Sequence, residues 1–361
     1  MKICFISPFG RSIHVEKWIE YFSKKDHDII FITMSDNVNK SRERKVYYMD
    51  RLPKIFFWYN LIRVFFLLKK LKPDIIHFHY IAGISWVAAF LKRYSFILTV
   101  WGGDVLPEQD AFKRPFSRQI ITTCLKKARF VTVHSAFLKK RMIQMGVEEE
   151  RIKFISFGVD LKIFKKTPLV PSHFRYLKKK KVILSIRIPC KAYNIDRIIE
   201  SFRIVSQKVP DSILLIKKYL SDRTYLRYLD GLIDRLDLRK KVIYIEEMRY
   251  KELPLLYSVS DIVVSIPYSD GFPISILESM ACSTVPVIGD LKEYKDDLTD
   301  GVNAFFTNIN DIHDIAEKII YGLNRRARNK VIQNNLKYVK KHDYRKNMEE
   351  MEKLYYEFSK R

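Results

Sequence analysis

Two carboxylates, Asp270 and Glu278, stand eight positions apart in the stretch YSDGFPISILESMACSTVPVIGD, residues 268 to 290. The stretch leaves a β-rich run, passes through Asp270-Gly271-Phe272-Pro273 and turns helical near Ile274, with Glu278 one turn in. Gly271 lets backbone approach a ligand closely, and a helix start offers unpaired N–H groups and a positive dipole end suited to phosphate. Pro273 fits the first turn, where its missing N–H costs nothing. A carboxylate accepts paired hydrogen bonds from neighbouring hydroxyls, so the pair is expected to face the hydroxyls of a sugar nucleotide.

Other stretches carry weaker chemistry. In WGGD, residues 101 to 104, Gly102 and Gly103 permit close approach, and Asp104 either binds substrate hydroxyls or caps a helix. His77 and His79 alternate in IIHFHY as a metal pair does, but no Cys or carboxylate follows at useful spacing, so both are expected in the core or at a cleft rim. There is no Walker-type loop, zinc framework or nucleophile elbow. Cys4, Cys124, Cys190 and Cys282 lie far apart and read as reduced thiols, the first, second and fourth as core packing.

The elements that must position these groups alternate. KICFIS at 2 to 7, DIIFIT at 28 to 33, IIHFHY at 75 to 80, FILTVW at 96 to 101 and FVTVH at 130 to 134 are strands separated by helical stretches. That alternation means a parallel sheet covered by helices. A second series follows at VILSIR 182 to 187, SILLIK 212 to 217, VIYIE 242 to 246, IVVSIP 262 to 267 and VPVIG 285 to 289. The expectation is an α/β chain of two Rossmann-like domains facing across a cleft: residues 1–165, a linker at 166–180, residues 181–340, and a C-terminal helix over 341–361 crossing back to the first domain. Met348, Met351, Tyr355 and Phe358 mark the buried face of that last helix. Asn194 is expected to cap a helix whose Ile195, Ile198, Ile199 and Phe202 face the sheet.

Length and composition support two cores: 361 residues, 47% hydrophobic and 14% aromatic. No apolar run reaches the roughly 18 residues of a membrane span, and Pro8 and Gly10 break the start too early for a signal-peptide core, so a cytoplasmic location is expected. The segment RLPKIFFWYNLIRVFFLLKKLK, residues 51 to 72, mixes aromatic and basic residues as an interfacial helix does, yet reads first as a buried helix feeding the strand at 75. A formal charge of +25 attracts anions without naming them, and KKKK at 178 to 181 reads as a solvated linker end.

Together these stretches resemble the retaining glycosyltransferases of family 4, which have the two-Rossmann-domain fold called glycosyltransferase B. The resemblance runs over nearly the whole chain, from ISPFGRSIHVEKW through LTVWGGD and SIRIPCKAYNIDRIIESF to SDGFPISILESMA. It implies that Asp270 contacts the donor sugar and Glu278 the nucleotide ribose, with Gly271, Phe272, Pro273, Ile274 and Ser275 shaping the sugar and diphosphate site. It also implies that Arg187 and Lys191, at the end of the second domain's first strand, neutralise the leaving diphosphate, since these enzymes lack a required metal. Gly10 resembles the glycine of the loop that approaches donor and acceptor, with Arg11, Ser12 and His14 beside it. A histidine there also serves as a local cap. Trp101 stands where many relatives have a histidine near the transferred sugar, and Ser283 where a glycine is usual.

The implied activity is a retaining, metal-independent transfer from a UDP- or GDP-sugar, a co-substrate rather than a cofactor, to a glycan or lipid-linked acceptor in cell-surface polysaccharide synthesis. From the basic charge, peripheral contact with the anionic inner-membrane face is expected, and no nucleic acid is expected as partner. The rival readings are a nucleotide-sugar epimerase or phosphorylase on a similar frame, and a non-catalytic basic protein that binds membrane or nucleic acid.

Overall fold

The computed structural model describes residues 1–10, 12–34, 44–49, 57–106, 114–218 and 222–360. Two compact units are present, one of Met1–Phe157 with Arg345–Arg361, the other of Gly158–Tyr344. Each is a wholly parallel sheet between helices.

In the first unit the strands are β1 (Lys2–Ser7), β2 (Asp28–Thr33), β3 (Arg44–Tyr48), β4 (Ile75–His79), β5 (Ile97–Thr99), β6 (Phe130–Val133) and β7 (Ile152–Phe154), in the order β3-β2-β1-β4-β5-β6-β7. Helices α1 (Ile13–Ser23), α2 (Phe57–Leu71), α3 (Pro115–Lys127) and α4 (Ala136–Gln144) follow their strands, and a 3-10 helix spans Gly83–Phe90. His77 and His79 are fully buried. His77 Nδ1 meets Tyr355 Oη at 2.5 Å and its Nε2 meets Thr99 Oγ1 at 2.6 Å, so it joins the sheet to the C-terminal helix. Burial pushes its pKa well below the ordinary histidine value, which keeps the ring neutral in that role.

The second unit repeats the plan with β8 (Lys181–Ser185), β9 (Ser212–Lys217), β10 (Val242–Ile245), β11 (Ile262–Ser265), β12 (Val285–Gly289) and β13 (Phe305–Thr307), ordered β10-β9-β8-β11-β12-β13. Its helices are α5 (Ile195–Lys208), α6 (Arg223–Arg235), α7 (Leu253–Val259), α8 (Ile274–Ala281), α9 (Ile312–Leu323) and α10 (Arg325–Tyr338). Period-two alternation splits the core over two faces. Val182, Leu184 and Val263 enter one apolar cluster; Ile183, Ile262 and Val264 enter the other. Residues 166–180, expected as a linker, contain a 3-10 helix at Ser172–Lys179 whose Phe174 and Leu177 sit in this unit's core.

The last helix, α11 (Tyr344–Ser359), buries Met348, Met351, Tyr355 and Phe358. Arg129 of the first unit donates to Phe358 O at 3.0 Å and lies over the Phe358 ring. Two expectations need correcting. Asn194 occupies the position before α5 but makes no side-chain cap; it adopts a left-handed conformation (φ 51°), and its Nδ2 donates to Ile266 O at 2.8 Å. Helix α2 is half-buried and not wholly buried: among its described side chains Asn60, Leu61, Val64 and Leu68 are buried, Leu67 and Leu71 pack partly against the core, and the opposite stripe is exposed. Residues 51–56 of that stretch lie outside those described. Among the described residues no helix is long and apolar enough to cross a membrane.

Candidate functional site

In an open parallel sheet, a crevice forms at the carboxyl ends of the two strands where the winding direction reverses. In the second unit that point lies between β8 and β11, which pair through Ile183 and Ile262. The segments leaving these strands carry the residues singled out by the sequence: Arg187 and Lys191 after β8, Asp270 to Ser275 after β11. Two polar bonds hold the segments together: Asn194 to Ile266, and Tyr268 N to Ala192 O at 3.1 Å.

Arg187 and Asp270 meet there. Arg187 Nη1 stands 3.0 Å from Asp270 Oδ2, and both side chains are largely buried. The guanidinium also lies 4.1 Å over the Tyr193 ring, which fixes its plane. Burial works against the charged guanidinium, but the Asp270 carboxylate and the hydroxyls of Tyr193 and Tyr294 outweigh it and raise its pKa. Asp270 Oδ1 accepts from Gly271 N at 2.8 Å. Oδ2 is buried and receives no aligned hydrogen bond, so the ion pair leaves it able to accept one. Lys191 is exposed on the 3-10 turn Lys191–Tyr193, outside this pair.

The chain then enters α8 through a strained turn. The left-handed residue is Phe272 (φ 81°), not Gly271. A bulky side chain in that region costs on the order of 1–3 kcal/mol, and burial of the Phe272 ring against Tyr294 offsets it. Pro273 takes the N-cap position without a side-chain cap, so the first N–H groups of α8 have no protein side chain on them from that residue. Ile274 is in the core. Ser275 places a buried hydroxyl without a hydrogen-bond partner in the first turn. Ser283, where the family pattern has glycine, is left-handed at φ 61°, the conformation a glycine takes without strain.

Glu278 is buried on α8 and accepts from Tyr257 Oη at 3.0 Å. Burial first, and then the Glu278 charge, push the hydroxyls of Tyr250 and Tyr257 well above the usual tyrosine pKa, so both stay protonated beside the carboxylate. Lys217, at the end of β9, has its pKa lowered by burial, with the charges of Glu278 and Glu247 opposing. Sequence reading missed Tyr193, Tyr250, Tyr257, Tyr294 and Lys217. A tyrosine in an apolar run gives no sign of which carboxylate its hydroxyl will meet.

The first unit reverses between β1 and β4, and its candidate residues leave β1 and β5. Gly10 is buried, Ser12 caps α1 by accepting from His14 N at 3.3 Å, and Arg11 lies outside the described residues. The His14 ring packs on Trp101 at 5.0 Å and Phe157 at 4.7 Å. Trp101 is also ringed by Phe9 at 5.9 Å and Tyr80 at 5.5 Å. Gly102 needs its glycine at φ 100°, and a Cβ on Gly103 would press the Tyr80 hydroxyl at 3.2 Å. Asp104 is corrected on both alternatives: Oδ1 accepts from the N–H of Trp101 and Gly102, each at 3.0 Å, and Oδ2 from Ile81 N at 3.0 Å. It is fully buried and staples the loops after β4 and β5, and that burial keeps it from a substrate hydroxyl.

Known proteins can be set beside this geometry. The model for glycosyl transferases group 1 matches residues 171–338, and that for glycosyl transferase 4-like proteins matches residues 2–135. The O-antigen chain mannosyltransferase RfbU of Salmonella typhimurium is 25% identical over 205 residues, 56% of this chain and 53% of that protein, so the match spans about half of each. Among solved structures, the sucrose-phosphate synthase of Thermosynechococcus elongatus superposes with TM-score 0.83 at 15% identity, over 99% of both chains. Anabaena HepE in complex with UDP-glucose gives TM-score 0.82 at 18% identity, over 98% of this chain and 99% of that one. These likenesses establish the glycosyltransferase B fold. The chain belongs to the group 1 glycosyltransferases.

Proposed function

We propose that this protein transfers a sugar from a nucleotide-sugar donor to a glycan or lipid-linked acceptor in cell-surface polysaccharide synthesis. It does so with retention, without a metal, and in the cytoplasm in peripheral contact with the anionic inner face of the membrane. One observation carries the donor reading. Where β8 and β11 end, Arg187 and Asp270 meet in a buried ion pair beside a helix start that carries a buried hydroxyl without a hydrogen-bond partner, Ser275. A buried cation, a carboxylate and an unspent hydroxyl at a helix start suit a ligand with both hydroxyls and phosphates. The acceptor class is supported by the printed activity of the Salmonella relative, an O-antigen chain mannosyltransferase.

In this reading Asp270 takes a hydroxyl of the donor sugar and Glu278 the ribose. Backbone of Gly271 to Ser275 lies along the diphosphate. The bond from the sugar's anomeric carbon to the diphosphate oxygen breaks, and its electron pair stays on that oxygen. Arg187 and Lys191 neutralise the gathering charge. The acceptor oxygen bonds to the anomeric carbon from the same face, and its proton passes to the departing phosphate. The test is a melting screen against UDP-, GDP- and other nucleotide-sugars, because a ligand at 100 times its Kd stabilises the native state by about 2.7 kcal/mol. One nucleotide family should raise the midpoint by several degrees. A midpoint indifferent to every nucleotide-sugar overturns the donor reading.

A further inference from the structure

The outer stripe of α2 is the wrong composition for a surface helix. Its exposed positions are Trp58, Tyr59, Ile62, Phe65 and Phe66, at i, i+1, i+4, i+7 and i+8, and they end in Lys69 and Lys70. These apolar side chains are between 37% and 61% exposed. The core already holds the opposite stripe, so the helix is apolar on both sides while only one is covered. The patch continues past the helix. Trp58 meets Phe90, at the end of the 3-10 helix, at 5.8 Å, and Phe116, at the start of α3, at 6.5 Å; both partners are about as exposed as Trp58 itself.

The charge of this face has one sign. Phe57–Leu71, Gly83–Phe90 and Pro115–Lys127 contain Arg63, Lys69, Lys70, Arg118, Lys126 and Lys127 and neither Asp nor Glu. Beside the stripe a hollow of about 280 Å³ is lined by Arg63, Lys70, Phe66 and Tyr48. The Tyr48 hydroxyl in its wall is buried without a hydrogen-bond partner. Two cations and an unspent hydroxyl over an aromatic floor suit one phosphate headgroup. A second copy of the chain suits the face poorly, since a two-fold contact would set lysines and arginines against themselves. Aromatic and aliphatic side chains in one stripe with basic residues at its margin are the composition of a helix lying in a membrane interface.

We infer that the face formed by α2, the 3-10 helix and the start of α3 seats in an anionic lipid bilayer, its aromatic stripe in the interfacial layer and its lysines and arginines on lipid phosphates. This deepens the peripheral contact proposed above. It adds apolar insertion through named side chains to a contact that charge alone would make diffuse and fully salt-sensitive. The test uses the whole protein without nucleotide or acceptor, sedimented with vesicles of phosphatidylglycerol and phosphatidylcholine, and with phosphatidylcholine alone. Wild type should bind the anionic vesicles, and its tryptophan emission should shift to the blue, a shift lost in Trp58→Phe. Ile62→Asp/Phe66→Asp should weaken binding by roughly tenfold or more, with melting and the response to nucleotide-sugar unchanged. Two results overturn the inference: the double variant binding vesicles as wild type does, or wild type ignoring vesicles while forming a dimer that the same variant dissolves. A protein that binds vesicles but no nucleotide-sugar would sink the donor reading and leave this face standing.

Discussion

The two switch points of this molecule follow one topological rule and hold opposite chemistry. After β8 and β11 the side chains are charged and their bonding is incomplete: Arg187 pairs with Asp270, yet Asp270 Oδ2 and the Ser275 hydroxyl receive no hydrogen bond. After β1 and β5 the surroundings are aromatic, and Asp104, a buried carboxylate among the described residues there, accepts from backbone N–H groups on both oxygens. Buried polar atoms left unpaired occur at both points, the Ser275 hydroxyl in the second unit and Trp101 Nε1 in the first, so what separates them is charge: the second holds a buried ion pair, the first a cluster of aromatic rings. An aromatic surface, with Phe9 exposed at its edge, suits instead the flat apolar face of a sugar ring.

The sharpest way to break this contrast is to remove a charge from the second unit. Arg187→Ala and Glu278→Ala should each lower transfer by roughly a hundredfold or more, since each removes a group that the proposed function sets on the donor. Circular dichroism should remain that of wild type. Full activity in both variants would mean that the paired charges are only structural.

The Asp104 staple should fail in the opposite way. Asp104→Ala leaves three backbone N–H groups without their acceptor and should cost the first unit on the order of 2–3 kcal/mol, while donor binding by the second unit is kept. Burial raises the Asp104 pKa from 3.8 to about 6, against the pull of its backbone hydrogen bonds. The folded state therefore holds the proton more tightly than the unfolded chain. This group's contribution is most favourable below the unfolded value, and stability falls as pH rises from about 4 through about 6. Melting followed across that window should show the slope in wild type and lose it in Asp104→Asn; equal slopes would contradict the assignment.

A smaller effect sharpens the contrast within the donor site. Tyr257→Phe removes the hydroxyl that donates to Glu278 at 3.0 Å and should reduce kcat/KM about tenfold, mainly through a weaker hold on the nucleotide. A change in kcat alone would place Glu278 on the reacting centre instead.

Nearly all of the central strands could be read from the sequence because a strand covered on both faces is a continuous apolar run. Those not read were β3, β7 and β13, all at sheet edges and two of them three residues long. β7 and β13 are three residues each, too short for a run to stand out, and β3 pairs on one side alone, with Lys45 exposed. Asn194 misled for a different reason: its residue type predicts a cap, but its side chain found a carbonyl on β11's outgoing segment, a long-range partner that no local rule contains.

Residue types and spacing by themselves determined the alternating α/β plan, the turn into α8 near Ile274, and the pairing of a loop carboxylate with a helical one, because propensity, periodicity and helix-end chemistry act within a few residues. Tertiary structure alone decided that Arg187 meets Asp270, that Tyr257 holds Glu278, that Asp104 is consumed by the backbone, and that α2 keeps an apolar stripe in the open. Each of those outcomes depends on which groups from distant strands arrive together and how much water they lose, and burial and partnership are properties of the packed chain rather than of any residue in it.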